Sequence, residues 1–141
     1  MFKNKTVAAV IPCYNEELLI SRTISEIPDF VDVIFAVNDC STDNTKNEIL
    51  RIVETNPKVR LVDLEVNQGV GGAVVTGYHA ALEGGADIVV KGDGDGQMDP
   101  TMISDLIQPI VDRNADYTKG NRFDSLVGLR EMPGIRVLGN G

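Results

Sequence analysis

Residues Val31–Thr55 read VDVIFAVNDCSTDNTKNEILRIVET, and the order of textures in this stretch decides the fold. Val33–Val37 is an apolar run of strand length, and Val31–Val37 is assigned as a buried strand. Asn38-Asp39-Cys40-Ser41-Thr42-Asp43-Asn44-Thr45 is a polar turn, with Ser41 or Thr42 expected to cap the next helix. Asp43–Thr55 then places Ile49, Ile52 and Val53 at helical spacing. Strand, polar turn and amphipathic helix make one β-α unit.

The same unit recurs on both sides. Upstream, Thr6–Ile11 is a short buried strand. Glu16–Ile27 follows with Ile20, Ile24 and Ile27 on one helical face, and Pro28 ends it. Downstream come a strand at Val59–Leu64, a small-residue helix at Gly69–Glu83, a strand at Asp87–Val90 and a helix at Pro100–Val111. In the small-residue helix, Ala73, Gly77, Ala80 and Ala81 allow close packing, and Gly84-Gly85 serves as its C-cap. Met102, Leu106, Ile110 and Ile103, Ile107, Val111 form a wide apolar stripe, which Pro109 is expected to kink or cut short. Asp116–Lys119 starts a fifth strand, and residues 121–141 show no clear period. This alternation predicts an α/β chain: a Rossmann-like, mostly parallel sheet with right-handed crossovers and helices on both faces. Ligands of such sheets bind beyond the carboxyl ends of the strands, near a switch point.

Bulk properties narrow the class. The chain has 141 residues, 43% hydrophobic and 24% charged, so it is read as one globular domain. No apolar segment approaches the roughly 20 residues of a membrane helix. Met1–Lys5 runs straight into the first strand, so no leader peptide is expected. The net charge of −8 argues against nucleic acid as a partner. The charge is uneven: residues 119–141 sum to +2, while the rest carries −10. Cys13 and Cys40 are too few for a disulfide scaffold or a zinc-thiolate cage and read as thiols of a reducing cytoplasm.

The strand ends carry the chemistry. Pro12-Cys13-Tyr14-Asn15-Glu16-Glu17 follows strand one; Asn15 is a natural N-cap, and Tyr14 is an aromatic left beside the cleft. Asp39, after strand two, is surplus to capping and is placed to accept hydrogen bonds from a nucleobase. Asn67–Ala73 weakly mimics a dinucleotide fingerprint, yet that fingerprint belongs after the first strand of its unit. Nine of the 14 glycines fall between Gly69 and Gly96. Among them Gly92-Asp93-Gly94-Asp95-Gly96-Gln97 alternates carboxylates with glycines, so that both aspartates can converge on Mg²⁺ or Mn²⁺ shared with a diphosphate. An EF-hand loop from Asp93 fails, because its sixth and twelfth positions are Met98 and Ser104. A phosphatase of the Asp-x-Asp-Gly type would carry the motif after the first strand. His79 is the sole histidine and is given no catalytic role, since a lone imidazole needs a partner to orient it.

Together Ile11–Glu17, Val37–Asp43, Asn67–Ala73, Asp93–Pro100 and Lys119–Phe123 resemble the motifs of family 2 glycosyltransferases of the GT-A fold. The resemblance is closest to the dolichyl- and polyprenyl-phosphate sugar transferases. It implies that Pro12, Tyr14, Glu16, Val37 and Asp39 line the base and ribose pocket. It further implies that Asp93, Gly94 and Asp95 are the Asp-x-Asp motif at the donor diphosphate, with Asp95 and Gln97 toward the metal, Asp93 toward the ribose or the metal, and Arg122 toward the donor phosphates. Asn38 stands where the family has aspartate, Cys40 where glycine is common and Met98 where histidine is common.

The implied activity is inverting transfer from a UDP- or GDP-sugar to a lipid phosphate or glycan acceptor, at the cytoplasmic face of a membrane. The sequence is expected to hold the nucleotide-sugar-binding part, with the catalytic base beyond Gly141 and the isolated part inactive. A non-catalytic nucleotide-binding module is the alternative. A nucleotide-sugar pyrophosphorylase ranks last, because Pro12–Glu17 has neither glycine nor a basic residue.

Overall fold

A computed structural model describes residues 1–94 and 102–118. Four strands form one parallel sheet: β1 (Val7–Cys13), β2 (Val33–Asn38), β3 (Val59–Asp63) and β4 (Ile88–Lys91). Helices α1 (Ile20–Ser25), α2 (Thr45–Thr55), α3 (Gly69–Glu83) and α4 (Ile103–Val111) alternate with them. The strand order is β3-β2-β1-β4. The chain therefore winds outward from β1 to β3, then reverses to place β4 on the other side of β1.

Both faces of the sheet are covered, each by its own core. On one, Val7, Ala9, Ile11, Ile34, Ala36, Ile88 and Val90 meet Ile20 and Ile24 of α1, Ile49 of α2, and Ile103 and Ile107 of α4. On the other, Ala8, Val10, Phe35 and Val37 meet Ala73 and Ala81 of α3. The two-residue alternation along β1 sorts its side chains between these cores. Small residues bring α3 close: a Cβ on Gly77 would lie 2.3 Å from Val10 Cγ1 and 3.1 Å from Val37 Cγ2.

Several expected boundaries move, each for a physical reason. β1 runs past Ile11 to Cys13, although Pro12 has no N–H. Pairing with β4 stops at Val10↔Lys91, so on the side Pro12 shares with Val10 no ladder bond is lost. α1 starts at Ile20 rather than Glu16, and Asn15 is not its cap. The N–H groups of Glu16 and Glu17 donate instead to Thr45 Oγ1 (2.8 Å) and Asp43 Oδ2 (3.3 Å). These bonds pin residues 15–17 to the next β-α turn and delay the helix. Neither Ser41 nor Thr42 caps α2; Asp43 Oδ1 accepts from Thr45 N at 2.9 Å.

Pro109 lies inside α4, and the helix continues two residues past it to Val111. Gly84-Gly85 does close α3: Gly85 N donates to Leu82 O and Ala86 N to Ala81 O, the paired bonds of a Schellman turn. Of the expected fifth strand, Tyr117 forms a bridge, and Lys119 lies outside the described residues.

Candidate functional site

The loops after the four strands share the carboxyl edge of the sheet. Those after β1 and β4 flank the point where the winding reverses, the position at which open α/β sheets take their ligands.

Here the loops touch. Gly94 is buried so closely that a Cβ would lie 3.1 Å from the Pro12 carbonyl oxygen, 3.3 Å from Glu16 Cγ and 3.4 Å from Cys13 Sγ. The Gly94 carbonyl accepts from Thr23 Oγ1 at 3.2 Å. Thus Gly94 meets Pro12 and Glu16, about 80 residues earlier in the chain, at one spot. Tyr14 stands beside them, 48% exposed. Asp93 is held by an ion pair from Lys91 Nζ to its Oδ1 at 3.2 Å. Lys91 itself is buried at the end of β4. Asp95, Gln97 and Arg122 lie outside the described residues. Among the described residues, no group of three or more His, Cys, Asp or Glu is placed to hold a metal ion.

Asp39 is the best-anchored acid of the mouth, only 3% exposed. Its N–H donates to Cys13 O at 2.9 Å, its Oδ1 accepts from Gln68 N at 2.7 Å and its carbonyl accepts from Asn67 Nδ2 at 3.1 Å. One residue thereby ties β1, β2 and the loop entering α3. Val37 is fully buried beneath α3, so its side chain belongs to the core and not to an open surface.

Asp63 and Lys46, which the sequence reading did not single out, join Asn38 at the end of β2. Asn38 Nδ2 donates to Asp63 Oδ1 at 2.8 Å, and Lys46 Nζ pairs with Asp63 Oδ2 at 2.7 Å. The Lys46 bond holds Asp63 below the ordinary carboxylate range, burial pulls the other way, and Asn38 adds to the lowering. Asn15 Oδ1 accepts from Thr42 N at 2.8 Å, while Asn15 N donates to Ser41 Oγ at 3.1 Å. Burial, reinforced by the Glu16 charge, pushes the Cys13 thiol far up, so it stays protonated and is no nucleophile. Asn38 and Lys91 carried a signal of their own: each is a polar residue closing an apolar strand.

Two other features lie off this site. His79 is exposed on α3. A groove of about 320 Å³, lined by Tyr78, Leu82, Ile88 and Ile110 among others, sits at the amino end of β4, opposite the mouth.

A parallel sheet of this order, with an acidic mouth at its switch point, has the form of a nucleotide-binding α/β fold. The chain belongs to glycosyl transferase family 2, whose family model matches residues 8–137. It is 35% identical to the UDP-N-acetylglucosamine–dolichyl-phosphate N-acetylglucosaminyltransferase of Methanococcus voltae, over 97% of this chain and 60% of that protein. It is 30% identical to the undecaprenyl-phosphate mannosyltransferase of Micrococcus luteus, over 94% of this chain and 51% of that protein. The chain thus spans only half to three-fifths of these relatives.

Among solved structures, a mannosyltransferase of Pyrobaculum calidifontis in complex with GDP-Man and Mn²⁺ superposes with a TM-score of 0.69 at 24% identity, over 84% of this chain and 36% of that one. The glucosyl-3-phosphoglycerate synthase of Mycobacterium tuberculosis, in complex with Mn²⁺, UDP and phosphoglyceric acid, gives 0.66 at 24% identity, over 85% of this chain and 44% of that one. The fold is that of the GT-A glycosyltransferases.

Proposed function

We propose that the chain is the nucleotide-sugar-binding part of an inverting glycosyltransferase that moves a sugar from a UDP- or GDP-linked donor to a polyprenyl or dolichyl phosphate. The observation that carries this reading is the convergence of Pro12, Glu16 and Gly94 at the switch point, with Asp39 beneath and Asp93 at the rim. The polyprenyl-phosphate and dolichyl-phosphate relatives favour the lipid acceptor. With such an acceptor the proposed site of action is a membrane surface, and the face proposed is the cytoplasmic one. Among the described residues no helix is long and apolar enough to cross a membrane.

Each residue has a physical task. Asp39 accepts a hydrogen bond from an N–H of the base through the oxygen not used by Gln68. Tyr14 covers the base with its exposed ring. Glu16, half-buried beside Gly94, bounds the ribose. Arg122 meets the donor phosphates.

Hard carboxylate and amide oxygens suit Mg²⁺ or Mn²⁺; Asp93 at the rim, with Asp95 and Gln97, would hold such an ion. When bound, the divalent ion offsets charge growing on the diphosphate as it leaves. The acceptor oxygen attacks the anomeric carbon from the opposite side, which inverts it. No described residue is assigned the base that takes the acceptor proton.

Calorimetry of the chain with UDP and with GDP, each with and without Mn²⁺, tests this reading. Binding is expected to need the metal and to be lost in Asp95→Ala. Undiminished binding in that variant would sink the metal assignment, and no binding of either nucleotide would sink the donor site.

A further inference from the structure

We infer that Lys91 is a positioning residue that holds Asp93 with one carboxylate oxygen turned away from the incoming ligand and the other presented to it. The inference rests on the donor-site reading above and deepens it. Lys91 is the last residue of β4, and its side chain is 9% exposed while that of Asp93 is 22% exposed. Strand alternation puts Lys91 on the α3 side, together with Val89, under the small-residue helix. A lysine seldom sits in such a place unless it is paired. Its Nζ reaches Asp93 Oδ1 at 3.2 Å.

Backbone fixes both ends of the arrangement. Gly92 N donates to Val10 O at 2.9 Å, and Gly94 is wedged against Pro12 and Glu16. Asp93 therefore lies between two residues whose backbone is anchored, and the ion pair from Lys91 engages its Oδ1, so that Oδ2 is the oxygen this inference assigns to the ligand.

Two consequences of opposite sign follow. A bare divalent ion meets one oxygen instead of two, with an ammonium close behind, so its capture by Asp93 is weak. A metal–nucleotide complex needs one oxygen in a fixed place, so its capture is helped by the same contact. The site thus favours metal that arrives with the donor.

The test measures two affinities on the whole chain: Mn²⁺ alone, by electron paramagnetic resonance, and UDP or GDP in saturating Mn²⁺, by calorimetry. Lys91→Met keeps length and apolar packing while removing the charge. It is expected to tighten Mn²⁺ alone and to weaken nucleotide with Mn²⁺, each by about tenfold, the scale of one well-placed charge contact. Lys91→Arg is expected to retain both affinities. In an Asp93→Asn background, Lys91→Met is expected to change nucleotide binding less than about twofold, as coupled residues require.

The inference is overturned if Lys91→Met leaves both affinities unchanged or moves them in the same direction. It is also overturned if its effect on the nucleotide persists without the Asp93 carboxylate, because Lys91 would then act on the phosphates directly. Failure of the donor-site reading looks different: the unmodified chain would bind no nucleotide.

Discussion

Asp39→Asn separates a structural tie from a ligand contact. In the native chain Asp39 Oδ1 accepts from Gln68 N at 2.7 Å, and no described residue bonds Oδ2. Asparagine offers one acceptor oxygen and one NH₂ in the same outline. Gln68 N keeps its acceptor, so the amide nitrogen must take the place of Oδ2. There it meets the N–H of a bound base donor to donor. A hydrogen bond to a charged group contributes about 1.5–3 kcal/mol, and its loss weakens binding roughly 10- to 150-fold. Asp39→Ala, by contrast, also strips Gln68 N of its partner, at about 1–2 kcal/mol of stability.

Calorimetry with UDP or GDP and Mn²⁺ reads the first effect, and differential scanning calorimetry reads the second. Asp39→Asn is expected to lose affinity with its melting temperature nearly kept. Asp39→Ala is expected to lose affinity and several degrees of melting temperature as well. Native nucleotide affinity in Asp39→Asn would refute the base contact and leave Asp39 as a purely structural tie.

Two further outcomes are expected. Gly77→Ala gains about 1 kcal/mol of helix propensity. It also forces a Cβ to 2.3 Å from Val10 Cγ1, and overpacking of that kind costs about 1–3 kcal/mol, so the net effect is loss. Urea unfolding should show this loss shrinking when Val10→Ala removes the obstructing methyl. Second, Asp63 is held below its ordinary range by Lys46 and Asn38, so its contribution to stability is present at neutral pH and is lost as pH falls below about 4. The midpoint of urea unfolding should fall over that interval, and fall less steeply in Asp63→Asn.

The sheet was legible because apolar runs and helical stripes alternate without ambiguity. α3 was readable to the residue, since glycine and alanine periodicity marks it from Gly69 to Glu83. α1 was not: its first turn yields to side chains of residues 43 and 45, and no local signal reports a partner nearly 30 residues away. Asn15 illustrates the same limit. Its type suits a cap, yet it adopts a left-handed backbone (φ 53°) and bonds Thr42 instead. Of the candidate site, Asp39 and the glycine-flanked carboxylate were visible as residues that local capping did not explain. The tie from Asp39 to Gln68 and the ion pair behind Asp93 were not visible, because both depend on which strands lie side by side.

Cys40 gives those ties a further meaning. Its φ of 58° lies in the left-handed region that costs a residue with a side chain about 1–2 kcal/mol. Such a conformation persists only where neighbours over-determine it. Here they do: Asp39 on one side is bonded to two loops, and Ser41 on the other donates its N–H to Asn38 Oδ1 at 3.2 Å. Asn15, also left-handed, faces this turn and is locked to it through Ser41 and Thr42. The side of the mouth proposed to hold the base is therefore ordered by bonds that need no ligand. A donor entering it loses little affinity to loop ordering, which is the usual drain on binding at a loop-built site. On the side proposed for the phosphates, Asp93 is paired with Lys91, and its neighbour Gly94 accepts from Thr23 Oγ1 and lies against Pro12 and Glu16. These two separate sets of ties predict where specificity and metal dependence divide: substitutions in the Asn15–Asp39–Gln68 web should alter which base is held, while substitutions at Lys91 and Asp93 should alter how much metal the same base requires.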